Sequence, residues 1–214
     1  SGINVENTLR ANGLPIVMAP NNLGDVELKQ GTIEKYREST SGDDIYRLPP
    51  GNYRLGENIT LDKELKIGEI YSPYTVSLDL NGHKLEMGDN VITLRASNEL
   101  NIKNTGQQEG EIINGSKRGI QINEDAKLRI YGGTIDSIIT YLGNAEFYLY
   151  GGTIKRDIQF SENILSIPNA VLYANGGIVE GKLLINTYKN DKLTIRTEKS
   201  AASMTTFRGF VMNC

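Results

Sequence analysis

Six times in this chain an Ile is followed eight residues later by an apolar residue, and two residues after that by another apolar or small one. The copies are Ile70/Leu78/Leu80, Ile92/Leu100/Ile102, Ile120/Leu128/Ile130, Ile139/Phe147/Leu149, Ile164/Leu172/Ala174 and Ile185/Leu193/Ile195. Successive Ile residues stand 22, 28, 19, 25 and 21 positions apart. Fixed spacing within a copy and variable spacing between copies describes a solenoid whose rungs share one core and absorb insertions at one corner.

Residues within a copy alternate. In residues 128–135 (LRIYGGTI), Leu128 and Ile130 fall on one side, Arg129 and Tyr131 on the other; residues 147–154 (FYLYGGTI) repeat the pattern. A period of two is a strand with one buried face. Gly132-Gly133 and Gly151-Gly152 then break the strand, because glycine accepts the dihedrals of a sharp corner. Asn81-Gly82 and Asn175-Gly176-Gly177 hold the same place, since Asn also tolerates left-handed dihedrals. The pattern therefore predicts an all-β fold, a parallel β-helix of about six to seven rungs. Each rung is a short strand, a turn, a second strand, a Gly/Asn corner and a third short strand. A helical reading fails because glycine would break every helix.

Stacked rungs lie about 4.8 Å apart, and Ile70, Ile92, Ile120, Ile139, Ile164 and Ile185 are expected to form an inward ladder. Residues 46–196 carry the β-helix, with 1–45 as an N-terminal cap and 197–214 as a C-terminal cap of one structural domain. In the first cap, residues 31–38 read as a short helix or a loop. Ile59, Leu61, Leu65 and Ile67 read as an irregular first rung. At the other end Met204, Phe207, Phe210 and Val211 are expected to fold over the last one.

Lys and Arg number 23 against 26 Asp and Glu, a net charge of −3 without a basic run. That balance gives no footprint for nucleic acid or for a membrane surface. No apolar run approaches the ~20 residues of a spanning helix. One Cys (Cys214) and one His (His83) cannot form an internal disulfide or a Cys/His metal cluster. No cofactor and no metal are expected.

Residues 76–85 (VSLDLNGHKL), preceded by GNYRLGENITL and followed by two GGTI turns, resemble the opening rungs of right-handed parallel β-helix proteins of the pectate-lyase-like kind. The resemblance spans roughly residues 46–196. It implies a right-handed coil and an extracellular or cell-surface location, although SGINVENTLRANG carries neither the basic start nor the apolar stretch of a secretion signal. The family includes polysaccharide lyases, glycoside hydrolases, phage tailspikes and adhesins, so fold does not choose among activities.

The outward residues decide more. Hydrolysis of a glycan needs two carboxylates flanking one bond. The outward column between the paired core residues reads Asp79, Asn101, Arg129, Tyr148, Tyr173 and Thr194; the next reads Asn81, Lys103, Tyr131, Tyr150, Asn175 and Arg196. Asp79 is the single acid, two rungs from Arg129, so the two are weak charged candidates and no catalytic residue is assigned. A flat threonine array is also absent, since Lys84, Glu111 and Ile178 share the column of Thr134 and Thr153. Tyr131, Tyr148, Tyr150 and Tyr173 instead cluster on one face. They are candidates for contact with a polysaccharide or a host or cell-surface protein, or else a ladder that stabilises the sheet. Sequence thus leads to a non-catalytic, adhesin-like module, with a polysaccharide lyase or hydrolase and an architectural segment or tail fibre as alternatives.

Overall fold

The computed structural model describes residues 25–38, 41–160, 169–186, 192–197 and 205–213, together with 10–11 and 14–15. Among these there is no helix. Parallel strands stack into a β-solenoid of about six turns with three ladders around one core. The first ladder runs Val26–Leu28, Gly51–Leu55, Thr75–Asp79, Glu99–Lys103, Lys127–Ile130, Glu146–Leu149, Asn169–Ala174 and Lys192–Arg196. The second holds Ile59–Thr60, Lys84–Glu86, Glu111–Ile113, Thr134–Asp136 and Thr153–Ile154. The third holds Asp44–Leu48, Leu65–Ile67, Ile92–Leu94, Ile120–Ile122, Ile139–Tyr141 and Ile158–Phe160. Ile178–Asn186 runs through both the second and the third ladder, and Thr206–Asn213 pairs along it.

The inward ladder differs from the Ile pattern at both ends. Leu65, Ile92, Ile120, Ile139, Ile158 and Leu183 stack in register, and each is buried. Ile70 is not among them: it is 59% exposed. Ile164 lies outside the described residues, and Ile185 pairs with Met212 two positions beyond Leu183. The first and last copies are also displaced in the first ladder. Leu100 and Ile102 sit against Val76 and Leu78, where Leu78 and Leu80 were expected. Leu193 and Ile195 sit against Ala170 and Leu172.

The physical reason is a second corner that accepts insertions. Between Leu65–Ile67 and Thr75–Asp79 the chain loops out at Gly68, whose φ of +105° suits glycine. Buried Asn98 fixes that loop. Its amide donates to Glu69 O, and its Oδ1 accepts from the backbone N–H of Glu69 and of Tyr74. The loop absorbs the extra residues and turns Ile70 away from the core.

Corner chemistry follows the sequence reading. Gly82, Gly133, Gly152 and Gly177 all have φ between +75° and +88°. At Gly152 a Cβ would lie 2.4 Å from Gly133 O, so the corner glycines let successive rungs approach. After each corner strand the same bond recurs: Tyr131, Tyr150 and Asn175 donate their N–H to Ile102, Ile130 and Leu149 O.

The N-terminal end is closed by several devices. Residues 31–38, read as a short helix or loop, contain the strand Lys35–Arg37, which pairs antiparallel with Asp44–Leu48. Ile33 is buried. The side-chain amide of Gln30 stands in for a strand neighbour of Thr60, accepting from its N–H at 2.7 Å and donating to its C=O at 2.9 Å. Glu38 accepts from Lys66 Nζ at 2.5 Å and from Arg95 Nη2 at 2.6 Å, tying the hairpin to two rungs of the third ladder. At the opposite end Phe207 packs against the core within a further parallel strand. Met204 lies outside the described residues.

The hydrogen bond from Lys66, followed by the charges of Lys66 and Arg95, outweighs burial and lowers the Glu38 pKa from its ordinary 4.5. A depressed carboxylate stabilises the fold above its ordinary pKa and loses that contribution as pH falls. Glu38→Gln is expected to reduce stability at pH 7 by roughly 1–3 kcal/mol. In urea titrations the gap from the wild type closes as pH falls below the ordinary glutamate range.

Candidate recognition face on the first ladder

The outer face of the first ladder carries every candidate residue, and register decides their neighbours. Ser77, Asn101, Arg129, Tyr148, Tyr173 and Arg196 form one column. Asp79 and Lys103 are partners in the next column, which Tyr131 and Tyr150 continue. Thr194 falls opposite Val171, away from the tyrosines.

Asp79 is therefore separated from Arg129 by column as well as by rung. It is 1% exposed. Its Oδ1 accepts from Asn81 N–H at 2.9 Å and Thr105 N–H at 3.0 Å, and its Oδ2 accepts from the Thr105 hydroxyl at 2.5 Å. Lys103 Nζ lies 3.9 Å away. This carboxylate holds the 104–110 loop against the Asn81-Gly82 corner. Arg129 is likewise engaged, ion-paired with Glu99 and placed 4.6 Å over the Tyr148 ring.

The four tyrosines form one continuous array. Tyr148 and Tyr173 stack at 4.1 Å with an interplanar angle of 1°. Tyr131 and Tyr150 stack at 4.8 Å and 6°. Tyr148 and Tyr150 join the two columns, nearly coplanar in orientation at 6.1 Å between centroids. Parallel strands bring like residues one rung apart, which is the spacing that aromatic stacking prefers.

Stacking also consumes ring faces. Tyr148 is covered by Arg129 on one side and Tyr173 on the other, and only 8% of it is exposed. Its hydroxyl donates to Glu146 Oε2 at 2.5 Å. Burial first, and the Glu146 bond second, raise the phenol pKa well above its ordinary value. Tyr150 and Tyr173 are half-buried. Tyr131 ends its column and is 50% exposed. The array is a plate of stacked phenols whose most exposed ring is Tyr131.

Among the described residues, the carboxylates along the first-ladder strands are engaged. Glu27 pairs with Lys29 and Arg54, Glu99 with Arg129, Glu146 with Lys127 and Tyr148, and Asp25 with Lys103. Among the described residues no group of three His, Cys, Asp or Glu side chains is arranged to hold a metal. His83 stands in the Asn81-Gly82 corner, its N–H donating to Leu80 O at 2.8 Å.

One exposed feature escaped the sequence reading. Ile70 and Tyr71, 59% and 98% exposed, stand at the tip of the loop that Asn98 fixes. Assigning Ile70 to the core hid it. The Gly68 before it and the Pro73 after it are the sequence signals of a loop.

No protein-family model, curated protein or solved structure matches this chain.

Removing the buried Asp79 carboxylate leaves the backbone N–H groups of Asn81 and Thr105 and the Thr105 hydroxyl without their acceptor. Asp79→Ala is expected to cost roughly 1–3 kcal/mol in urea denaturation, with hydrogen exchange faster at Asn81 and Thr105. Asp79→Asn keeps one acceptor oxygen and loses less.

Proposed function

We propose that this chain is a non-catalytic recognition module of a secreted or cell-surface protein, and that the first-ladder tyrosine array is its contact surface for an extended glycan. The observation that carries the reading is Tyr131. Its ring is accessible, and it is held flat on Tyr150 at the end of a stacked column. A sugar C–H face stacks on such a ring at little entropic cost, because the side chain is already ordered. The part-exposed Lys103 ammonium, in the rung before Tyr131, offers a donor for ring hydroxyls.

Two further features support recognition over cleavage. The carboxylates on the face are engaged by cations, hydroxyls or backbone N–H groups, whereas glycoside cleavage needs an acid and a second carboxylate about 5–9.5 Å apart across a bond. The face is also long and continuous, which suits a linear polymer. The pectate-lyase-like affinity suggested by VSLDLNGHKL and GGTI remains part of this proposal. Those residues build strands and the corners at Asn81-Gly82, Gly132-Gly133 and Gly151-Gly152, and such structural motifs serve a binding module as well as an enzyme.

Affinity electrophoresis against neutral and acidic polysaccharides, backed by a glycan array, tests the reading. Binding is expected, and Tyr131→Ala should weaken it roughly 3- to 10-fold while Tyr71→Ala leaves it unchanged. Absence of binding, or binding indifferent to Tyr131→Ala, overturns the assignment. Release of reducing or unsaturated ends from any of the polymers would establish the lyase or hydrolase alternative.

A further inference from the structure

Charge on the first-ladder face is balanced pair by pair. Arg129 is ion-paired with Glu99, Lys127 with Glu146 and Arg54 with Glu27. Beside Tyr131 the balance tips towards acid. Tyr150 covers the Tyr131 face that looks to the following rung. The open face therefore looks back towards Lys103, which follows Ile102 as Tyr131 follows its register partner Ile130. The Lys103 ammonium lies 3.4 Å from Asp25 and 3.9 Å from Asp79, so two carboxylates share one cation. The exposed Arg196 stands in the other column, three rungs beyond Arg129. That is about 14 Å by strand spacing, past the roughly 8 Å over which exposed charges act at physiological salt. Neutral polar groups are closer. The 104–110 loop starts directly after Lys103 and lies against the residue after Tyr131, since a Cβ on Gly132 would stand 3.6 Å from Asn104 N. Asn104 Oδ1 accepts from Gly82 N–H at 2.8 Å, its amide donates to Gln108 O at 2.9 Å, and Asp79 holds Thr105. The loop so fixed presents Gln107 and Gln108, both exposed, and a Gln amide both donates and accepts.

We propose that the glycan recognised at Tyr131 is uncharged, a linear polymer of neutral sugars, and that the site discriminates against acidic ones. The inference rests on the recognition reading above and narrows it to one ligand class. A carboxylate or sulfate brought to the open ring face gives up hydration and gains no unpaired cation there. It also meets Asp25 and Asp79 as like charges. Turning Lys103 away from them to serve the ligand would strip the buried Asp79 of its cation, which carries its own penalty. A neutral sugar pays none of these costs. It needs an apolar surface for its C–H face and groups that exchange hydrogen bonds with its hydroxyls. The Tyr131 ring supplies the first, and the amides of the 104–110 loop supply the second.

Biolayer interferometry on immobilised polysaccharides tests the proposal. One set is neutral (glucan, mannan, xylan and galactan) and the other acidic (polygalacturonate, alginate and a sulfated galactan). Each is measured at low salt and near 1 M, where the screening length falls to about 3 Å. A neutral polymer is expected to bind with an affinity that changes less than about 2-fold with salt and that Tyr131→Ala reduces. The acidic polymers are expected to bind at least ~10-fold more weakly. Tyr131-dependent binding of an acidic polymer as tight as that of any neutral one, or binding that high salt abolishes, overturns the inference and leaves the recognition reading standing. Absence of binding to every polymer, or binding indifferent to Tyr131→Ala, overturns both.

Discussion

Parallel backbone hydrogen bonds run along the axis of this molecule and give each side chain within the stack its dominant neighbours, the residues at the same position one rung before and one rung after. The inward positions can then be satisfied only by apolar residues in file, and the outward positions become columns. Leu65, Ile92, Ile120, Ile139, Ile158 and Leu183 form one such file, and Arg129, Tyr148 and Tyr173 form part of one such column. A slip of two residues keeps the core apolar, since period two is preserved. It exchanges every outward neighbour, so register decides which side chains share the outer face.

Tyrosines brought one rung apart acquire order at the expense of accessibility. Tyr148 gives both faces to Arg129 and Tyr173 and its hydroxyl to Glu146. Tyr131 retains half its surface because its column ends there on the preceding side, where Lys103 replaces an aromatic. Of the two interpretations of a tyrosine ladder, sheet stabilisation suits the buried Tyr148, and the proposed ligand contact rests on Tyr131. The acids are spent in the same manner: Asp79 closes a corner, and Glu99 holds Arg129 over the stack.

The fold was legible from period-two alternation and from glycine at recurrent corners, because both are local consequences of backbone geometry. The eight-residue offset was sound for the three central copies, where Ile92, Ile120 and Ile139 lead into Leu100, Leu128 and Phe147. It misplaced the first copy because Ile70 has the right type and distance, while the residue that faces inward is Leu65. What distinguishes them is Asn98, nearly 30 positions later and buried beneath the Gly68 loop. No local pattern exposes a hydrogen bond of that range. The same slip assigned Asp79 to the Arg129 column and Thr194 to the place of Arg196. Grouping the tyrosines needed only the central rungs, where the register is regular; whether their ring faces were open depended on side-chain packing.

Register can be read directly by nuclear Overhauser spectroscopy on protein labelled at Ile methyl and Tyr ring positions. Contacts are expected to connect Ile92, Ile120, Ile139 and Ile158 in unbroken order, and Tyr148 with Tyr173, while the Ile70 methyl shows none to Ile92. A contact from Ile70 to Ile92, or a chain that passes from Ile139 to Ile164 and omits Ile158, would contradict the stacking on which both the core and the tyrosine face depend.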